Sequence, residues 1–211
     1  MKSLLRLVCH QAPERILRCN GVFSLLCSRC TGIYSGFSLG ILFLFFFRRK
    51  ASLFPGLRTS ILAGFFIFFN IVHPFLASHF AILDSNFLRF AAGFFCGISL
   101  AQFVYPLFVN VFVARPGNNH SAGNLREFFF YCIILSIAVL LVFAFRTTGL
   151  EILNILAIAG LLGIYLMLNA TAAGMLLNWR GKRNKPAAFL MLVLYILLFF
   201  SIEYIVLSHG K

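Results

Sequence analysis

Acidic residues are the scarcest chemistry in this chain: five Asp and Glu stand against eighteen Lys and Arg in 211 residues. Without a second cluster of carboxylates, a di-metal hydrolase is not expected. The chain also lacks a nucleotide-binding glycine loop, a His-Glu-x-x-His helix and any Ser, His and Asp ordering that would suggest a nucleophilic triad. Charged residues make up only 11% and hydrophobic ones 61%, where soluble domains carry about 25% and about 45–50%. That excludes a soluble globular fold. The twenty-eight phenylalanines show no strand-like alternation, which favours helices over a barrel, the two structures that satisfy every backbone polar group inside hydrocarbon. A removable leader peptide is not expected either. Lys2 and Arg6 could open one, but only Leu7 and Val8 separate Arg6 from Cys9-His10, too short a stretch for an apolar core. The N-terminus is therefore expected to be kept, and a lipidated cysteine after cleavage is not expected.

What the chain has instead is a series of long apolar runs. They predict an all-α, polytopic helical membrane protein of about six transmembrane helices behind a short Cys/His-rich segment, residues 1–22 being the tail and 23–211 the membrane domain. The expected spans are about 23–47, 60–83, 87–114, 128–145, 150–177 and 187–207. The fourth is barely long enough to cross at about 1.5 Å per residue. Asn70, His73, Pro74 and His79 make the second span the most polar, and Pro74 is expected to kink it. An ionisable group such as His73 inside a span is by default functional or paired with a neighbouring helix. Asp84-Ser85-Asn86 form a tight turn that makes spans two and three a helical hairpin. Glu203 is the deepest acid, and Cys96 and Cys132 read as inert core thiols.

A net charge of +13 would suggest nucleic acid in a soluble protein. Here the basic residues fall at helix ends, where they face lipid phosphates and set topology, so no nucleic-acid partner is expected. The loops 48–58, 115–126 and 179–186 hold four, two and four Lys or Arg, while 84–89 and 146–151 hold one each. That count puts the first set in the cytoplasm and both termini outside. The five Lys and Arg up to Arg29 argue the other way.

Polar chemistry is densest between residues 9 and 40. Cys9-His10-Gln11-Ala12-Pro13-Glu14-Arg15 is followed by Cys19 and then by Cys27-Ser28-Arg29-Cys30-Thr31-Gly32-Ile33-Tyr34-Ser35-Gly36. Pro13 is expected at the first turn of a short helix running into Glu14 and Arg15. Gly32, Gly36 and Gly40 repeat every four residues in the first span, as Gly93 and Gly97 do in the third, so the backbones of neighbouring helices can approach closely. Cys27, Cys30 and Tyr34 form one helical stripe. Gly32 lies about 200° around from Cys30, so the cysteines face something other than the glycine-packed neighbour.

A Cys-x-x-Cys pair at a helix start sits near unsatisfied amides, which favours thiolate; Arg29 and Arg15 add positive charge. Such a pair holds a soft metal or cycles between dithiol and disulfide. In the metal reading, Cys9, His10, Cys27 and Cys30 form a closed set of three sulfurs and an imidazole, with zinc as the default and copper or an iron–sulfur cluster as alternatives on the same softness argument. Adjacent residues such as Cys9 and His10 rarely reach one ion together; if only one does, Cys19, His79 or a water completes the shell. In the redox reading, Cys27–Cys30 and Cys9–Cys19 pass electrons to a quinone between spans, with Arg29 or Arg89 near its ring. In the third reading, thiols, disulfides or a structural metal merely tie the tail to a membrane scaffold. Glu14, Arg15, Arg29, Tyr34 and Arg89 are the candidate supporting or polar-ligand residues. Asp84 and Arg89 either pair with each other or join Glu14 and Arg15 in holding a polar headgroup.

These residues resemble an uncharacterised family of bacterial membrane proteins, a domain of unknown function. Its opening Cys-His-Gln-x-Pro-Glu-Arg is matched by Cys9, His10, Gln11, Pro13, Glu14 and Arg15, and its Cys-x-Arg-Cys-x-Gly-Ile-Tyr-x-Gly by Cys27, Arg29, Cys30, Gly32, Ile33, Tyr34 and Gly36. A second family stretch is matched by Asn86, Arg89, Gly93 and Gly97. An acidic position in span two is Asn70 here, which weakens any proton or cation role at that point, and Cys19 is outside the pattern. The resemblance covers roughly the first hundred residues and implies no activity. It does imply a multi-pass protein of the bacterial inner membrane; lipids and a metal ion or small molecule are the partners expected from the residues themselves. It also strengthens the grouping of Cys9, His10, Cys27 and Cys30, and by leaving Cys19 aside it favours metal over the redox relay.

Overall fold

The computed structural model describes residues 9, 12–80, 85–113, 116–176 and 193. His10, Asp84, Glu203 and the expected sixth span lie outside them, apart from Val193. Pro13–Arg15 form a single 3-10 turn with proline at its start, as expected. The next segment departs from the expected helix. Ile16–Cys19 (β1) and Val22–Cys27 (β2) form an antiparallel hairpin around Asn20 at φ 46 and Gly21 at φ 82. Two consecutive left-handed residues are what a tight hairpin turn needs, and Asn-Gly supplies them at least steric cost. The first membrane helix, α1, therefore runs Ser28–Phe47 rather than from residue 23. Residues 23–27 are apolar enough to continue a helix, but the turn before them and their pairing with β1 claim them for a strand.

Four more helices follow: α2 Leu57–His79, α3 Asn86–Phe112, α4 Leu125–Ala144 and α5 Arg146–Leu176. All five are long and apolar enough to cross a membrane. The fourth begins three residues earlier than expected, and its 20 residues reach about 30 Å, a full hydrocarbon thickness. It meets α5 across Phe145 alone. Between α1 and α2, Ala51–Leu53 (β3) pairs in parallel with Gly117–His120 (β4) from the loop before α4. The chain alternates faces, so the hairpin, the end of α2, the start of α3 and the α4–α5 junction share one membrane face. β3 and β4 share the other.

The centre of the bundle is α3, and α1 is its closest neighbour. A Cβ added at Gly32 would run into the carbonyl oxygen of Phe90, one at Gly36 into that of Phe94, one at Gly93 into that of Arg29 and one at Gly97 into that of Ile33. The two glycine repeats thus interlock, and the helices touch backbone to backbone, where dispersion contacts are densest. By contrast, α2 turns Leu57, Ile61, Phe65, Phe68, Ile71 and Phe75 outward at helical spacing. A stripe of this size and polarity on a helix exterior is a lipid-facing surface.

Candidate metal centre

Cys27 is the N-cap of α1, and Cys30 is the third residue of the helix. These are the two positions whose side chains meet over the first turn in a capping box, so a cysteine at each brings two sulfurs together over the helix start. The third arrives from the N-terminal segment. Cys9 is buried at 3% exposure, and its Sγ accepts a hydrogen bond from the Cys27 backbone N–H at 3.1 Å. All three Sγ atoms lie within 4.8 Å of one another. Tetrahedral zinc with bonds of about 2.3 Å holds its sulfurs about 3.8 Å apart, so closing the set around an ion asks for only small side-chain movements. No disulfide joins any of the six cysteines.

The hairpin carries Cys27 to this place and is itself firmly seated. Ser24 is buried; its hydroxyl donates to the Leu26 carbonyl and accepts from the Leu17 N–H. Ser28 Oγ donates to the Arg15 carbonyl at 2.7 Å, and Thr31 Oγ1 to the Leu26 carbonyl. From α5, Asn154 behaves as a substitute strand: its Oδ1 accepts from the Leu25 N–H at 2.9 Å and its Nδ2 donates to the Phe23 carbonyl at 3.2 Å. Nothing in the sequence near Asn154 signals this, because its partners lie about 130 positions away. Cys9, Leu26 and Ala157 form a small buried cluster, with Cys27, Cys30 and Tyr34 packed on it. The cysteine stripe therefore faces α5 and the glycine stripe faces α3, the division the helical spacing implies.

Electrostatics correct one expectation. The side-chain hydrogen bond with Cys30 and, less strongly, the Cys30 backbone N–H at the helix start favour the Cys27 thiolate, but the hydrogen bond with Cys9 and burial oppose it and prevail, so the Cys27 thiol is raised from its ordinary value. Three crowded thiols resist becoming three anions unless a cation joins them.

The other candidate residues are distributed around this trio. Cys19 pairs with Val22 next to the turn, whereas Cys27 pairs with Ile16 at the far end of the hairpin, so Cys19 is not one of the gathered sulfurs. His79 is exposed at the end of α2, its Nδ1 2.9 Å from the Phe75 carbonyl oxygen, and it too stands outside the trio. Glu14 and Arg15 are exposed and pair with each other at 3.9 Å. The Glu14 carbonyl accepts from Asn86 Nδ2 at 3.0 Å, which ties the tail to α3. Arg29 reaches across to α2, with Nη2 3.4 Å from Nδ1 of the buried His73. It lies within electrostatic range of Cys27, Cys30 and the buried Arg89. Cys96 and Cys132 are buried in the core, as expected.

Residues 9–103 match the family model described as "Predicted membrane protein (DUF2085)". An uncharacterised protein of Methanothermobacter thermautotrophicus is 33% identical over 96 residues, 46% of this chain and 83% of that relative. The chain belongs to this family. No solved structure matches it. The matched segment holds all three gathered cysteines, the hairpin, α1, α2 and most of α3, and it ends inside α3 at residue 103. Asn154 and Ala157, which close the site from α5, lie outside it.

Proposed function

We propose that Cys9, Cys27 and Cys30 hold one soft metal ion, zinc by preference, at the membrane face, and that His10 or an exchangeable ligand takes the fourth place. The observation that carries this reading is the convergence of three sulfurs, one from the N-terminal segment and two from the first turn of a membrane helix, within 4.8 Å. Thiolate sulfur suits zinc and copper(I). Binding such an ion supplies the charge that offsets three clustered anions and clamps residues 9–27 over the bundle, because ligand binding to a site absent from the unfolded chain is also folding energy.

The site belongs on the outer face of a cell membrane, with the loops that hold β3 and β4 in the cytoplasm. Three of the five N-terminal basic residues that argue otherwise are already engaged: Arg29 inside the bundle, Arg15 with Glu14, and Arg18 with the Pro13 carbonyl at 2.9 Å. They weigh less as loop charges than their number suggests.

The test is elemental analysis with thiol counting on protein purified in detergent without chelator. About one zinc or copper per chain, with three thiols blocked until chelator is added, is the expected result. No metal, together with immediate labelling of all three thiols, would overturn the reading.

A further inference from the structure

The three gathered sulfurs are not equivalent. Cys27 and Cys30 are part-exposed, whereas Cys9 is buried in a cluster with Leu26 and Ala157. A molecule arriving from water at the membrane face therefore meets Cys27 and Cys30 before it meets Cys9.

Backbone geometry sorts them the same way. Cys27 caps α1 and Cys30 is its third residue. Cα atoms three positions apart around a helix start stand about 5 Å apart, inside the range of about 4.4–6.8 Å that a disulfide spans. The two Sγ atoms lie within 4.8 Å of each other, and rotation about the Cα–Cβ bonds brings them to bonding distance with α1 left in place. Cys9 is held differently. Its Sγ accepts from the Cys27 backbone N–H at 3.1 Å, a contact with the amide rather than with the Cys27 sulfur, so it persists when that sulfur is engaged elsewhere.

We propose that Cys27 and Cys30 are a thiol–disulfide exchange pair whose substrate is a small-molecule disulfide, and that closing the pair expels the metal while Cys9 stays a free thiol. The expulsion rests on the metal reading above; the exchange does not. In the first step the Cys27 thiolate attacks one sulfur of the disulfide RSSR, forming a bond from Cys27 to SR and releasing RS⁻. The Cys30 thiolate then attacks the Cys27 sulfur, forming the Cys27–Cys30 bond and releasing the second RS⁻. Two electrons pass from the protein sulfurs to RSSR, and because both cysteines start as thiolates on the ion, no proton moves. Structural zinc takes four ligands. With two of the three sulfurs withdrawn, Cys9 alone does not retain the ion, and residues 9–27 lose their clamp. A reducing thiol reverses both steps and reopens the site.

The test treats zinc-loaded and chelator-stripped protein in detergent with glutathione disulfide. Free thiols are then alkylated and mapped by peptide mass spectrometry, and released zinc is read with a chromogenic indicator. Wild type is expected to lose about one zinc per chain as the Cys27–Cys30 disulfide forms, with Cys9 recovered alkylated, and to take zinc up again after reduction. Stripped protein is expected to form the same disulfide, so failure of the metal site and failure of the exchange pair are read apart. Cys30→Ser is expected to stop at a mixed disulfide of Cys27 with glutathione; if it does not yield monodisperse protein, the wild-type peptide map decides alone. A disulfide that includes Cys9, zinc that stays bound after Cys27 and Cys30 have joined, or both thiols left free in stripped protein overturns the proposal.

Discussion

The Cys27 backbone N–H donates to Cys9 Sγ across 18 positions of sequence, at 3.1 Å. An amide donor stabilises a thiolate in the same way that it stabilises any anion, so the residue that caps α1 also orients the sulfur that arrives from the N-terminal segment. This pairing makes Cys9 as necessary to the site as the Cys-x-x-Cys pair. Cys9→Ser and Cys30→Ser are each expected to lower metal affinity at least about 100-fold. Cys132→Ser, in the core, is expected to leave it unchanged. Metal content after dialysis against a weak chelator reads out all three.

Acid should release the ion. Each coordinating thiol gives up its proton on binding, and Cys27 holds its proton above the ordinary thiol range. Affinity is therefore expected to rise with pH and to fall as pH drops, by up to about one decade per unit for each thiol deprotonated. Competition against a chromogenic chelator at several pH values checks the slope. A flat profile would count against thiolate ligation.

The glycine seam sets the stability of the bundle. Gly97→Val drives a side chain into the Ile33 carbonyl and the Phe37 amide and is expected to cost about 1–3 kcal/mol or more. Gly64, on α2, has nothing within 4 Å of an added Cβ, so Gly64→Ala is expected to stabilise by up to about 1 kcal/mol through helix propensity alone. Thermal midpoints in detergent should move in opposite directions.

Asn154 holds the edge of the hairpin through both ends of its amide. Asn154→Ala leaves two backbone groups to find water and is expected to cost about 1–3 kcal/mol. It should also speed labelling of Cys27 in metal-stripped protein, measured by mass spectrometry, whereas labelling of Cys132 should not change.

Cys19 is a built-in reporter of orientation. It is part-exposed near the hairpin turn and stands apart from the gathered sulfurs. A membrane-impermeant maleimide applied to intact cells is expected to label it, which would put the hairpin outside. Labelling only after lysis would reverse the orientation.

The five described membrane helices were legible because hydrocarbon allows few alternatives: an apolar run long enough to cross must satisfy its own backbone, and helices do so. The hairpin was harder to see. Val22, Phe23, Leu25 and Leu26 look like the start of the helix that follows, and composition carries no trace of their pairing with β1; the signal was the Asn20-Gly21 dipeptide. The grouping of Cys9, Cys27 and Cys30 could be read from their clustering in sequence. The contact of Arg29 with His73 and the clamp of Asn154 could not, since both depend on how helices far apart in the chain pack. The direction of the Cys27 thiol was also hidden, because the hydrogen bond with Cys30 favours the thiolate and is outweighed only once Cys9 and burial act on the same sulfur.

The seam between α1 and α3 has a periodicity of its own. Its glycines on α1 recur every four residues, and each of Gly32 and Gly36 sits on a carbonyl of α3, those of Phe90 and Phe94, which are also four apart. A register shift of four residues, about 6 Å along the axis at 1.5 Å per residue, would again set glycine on carbonyl, whereas a shift of two would not. The repeat thus defines the register of α1 on α3 in steps of four residues, and the height of the cysteines at the end of α1 follows from which step is taken.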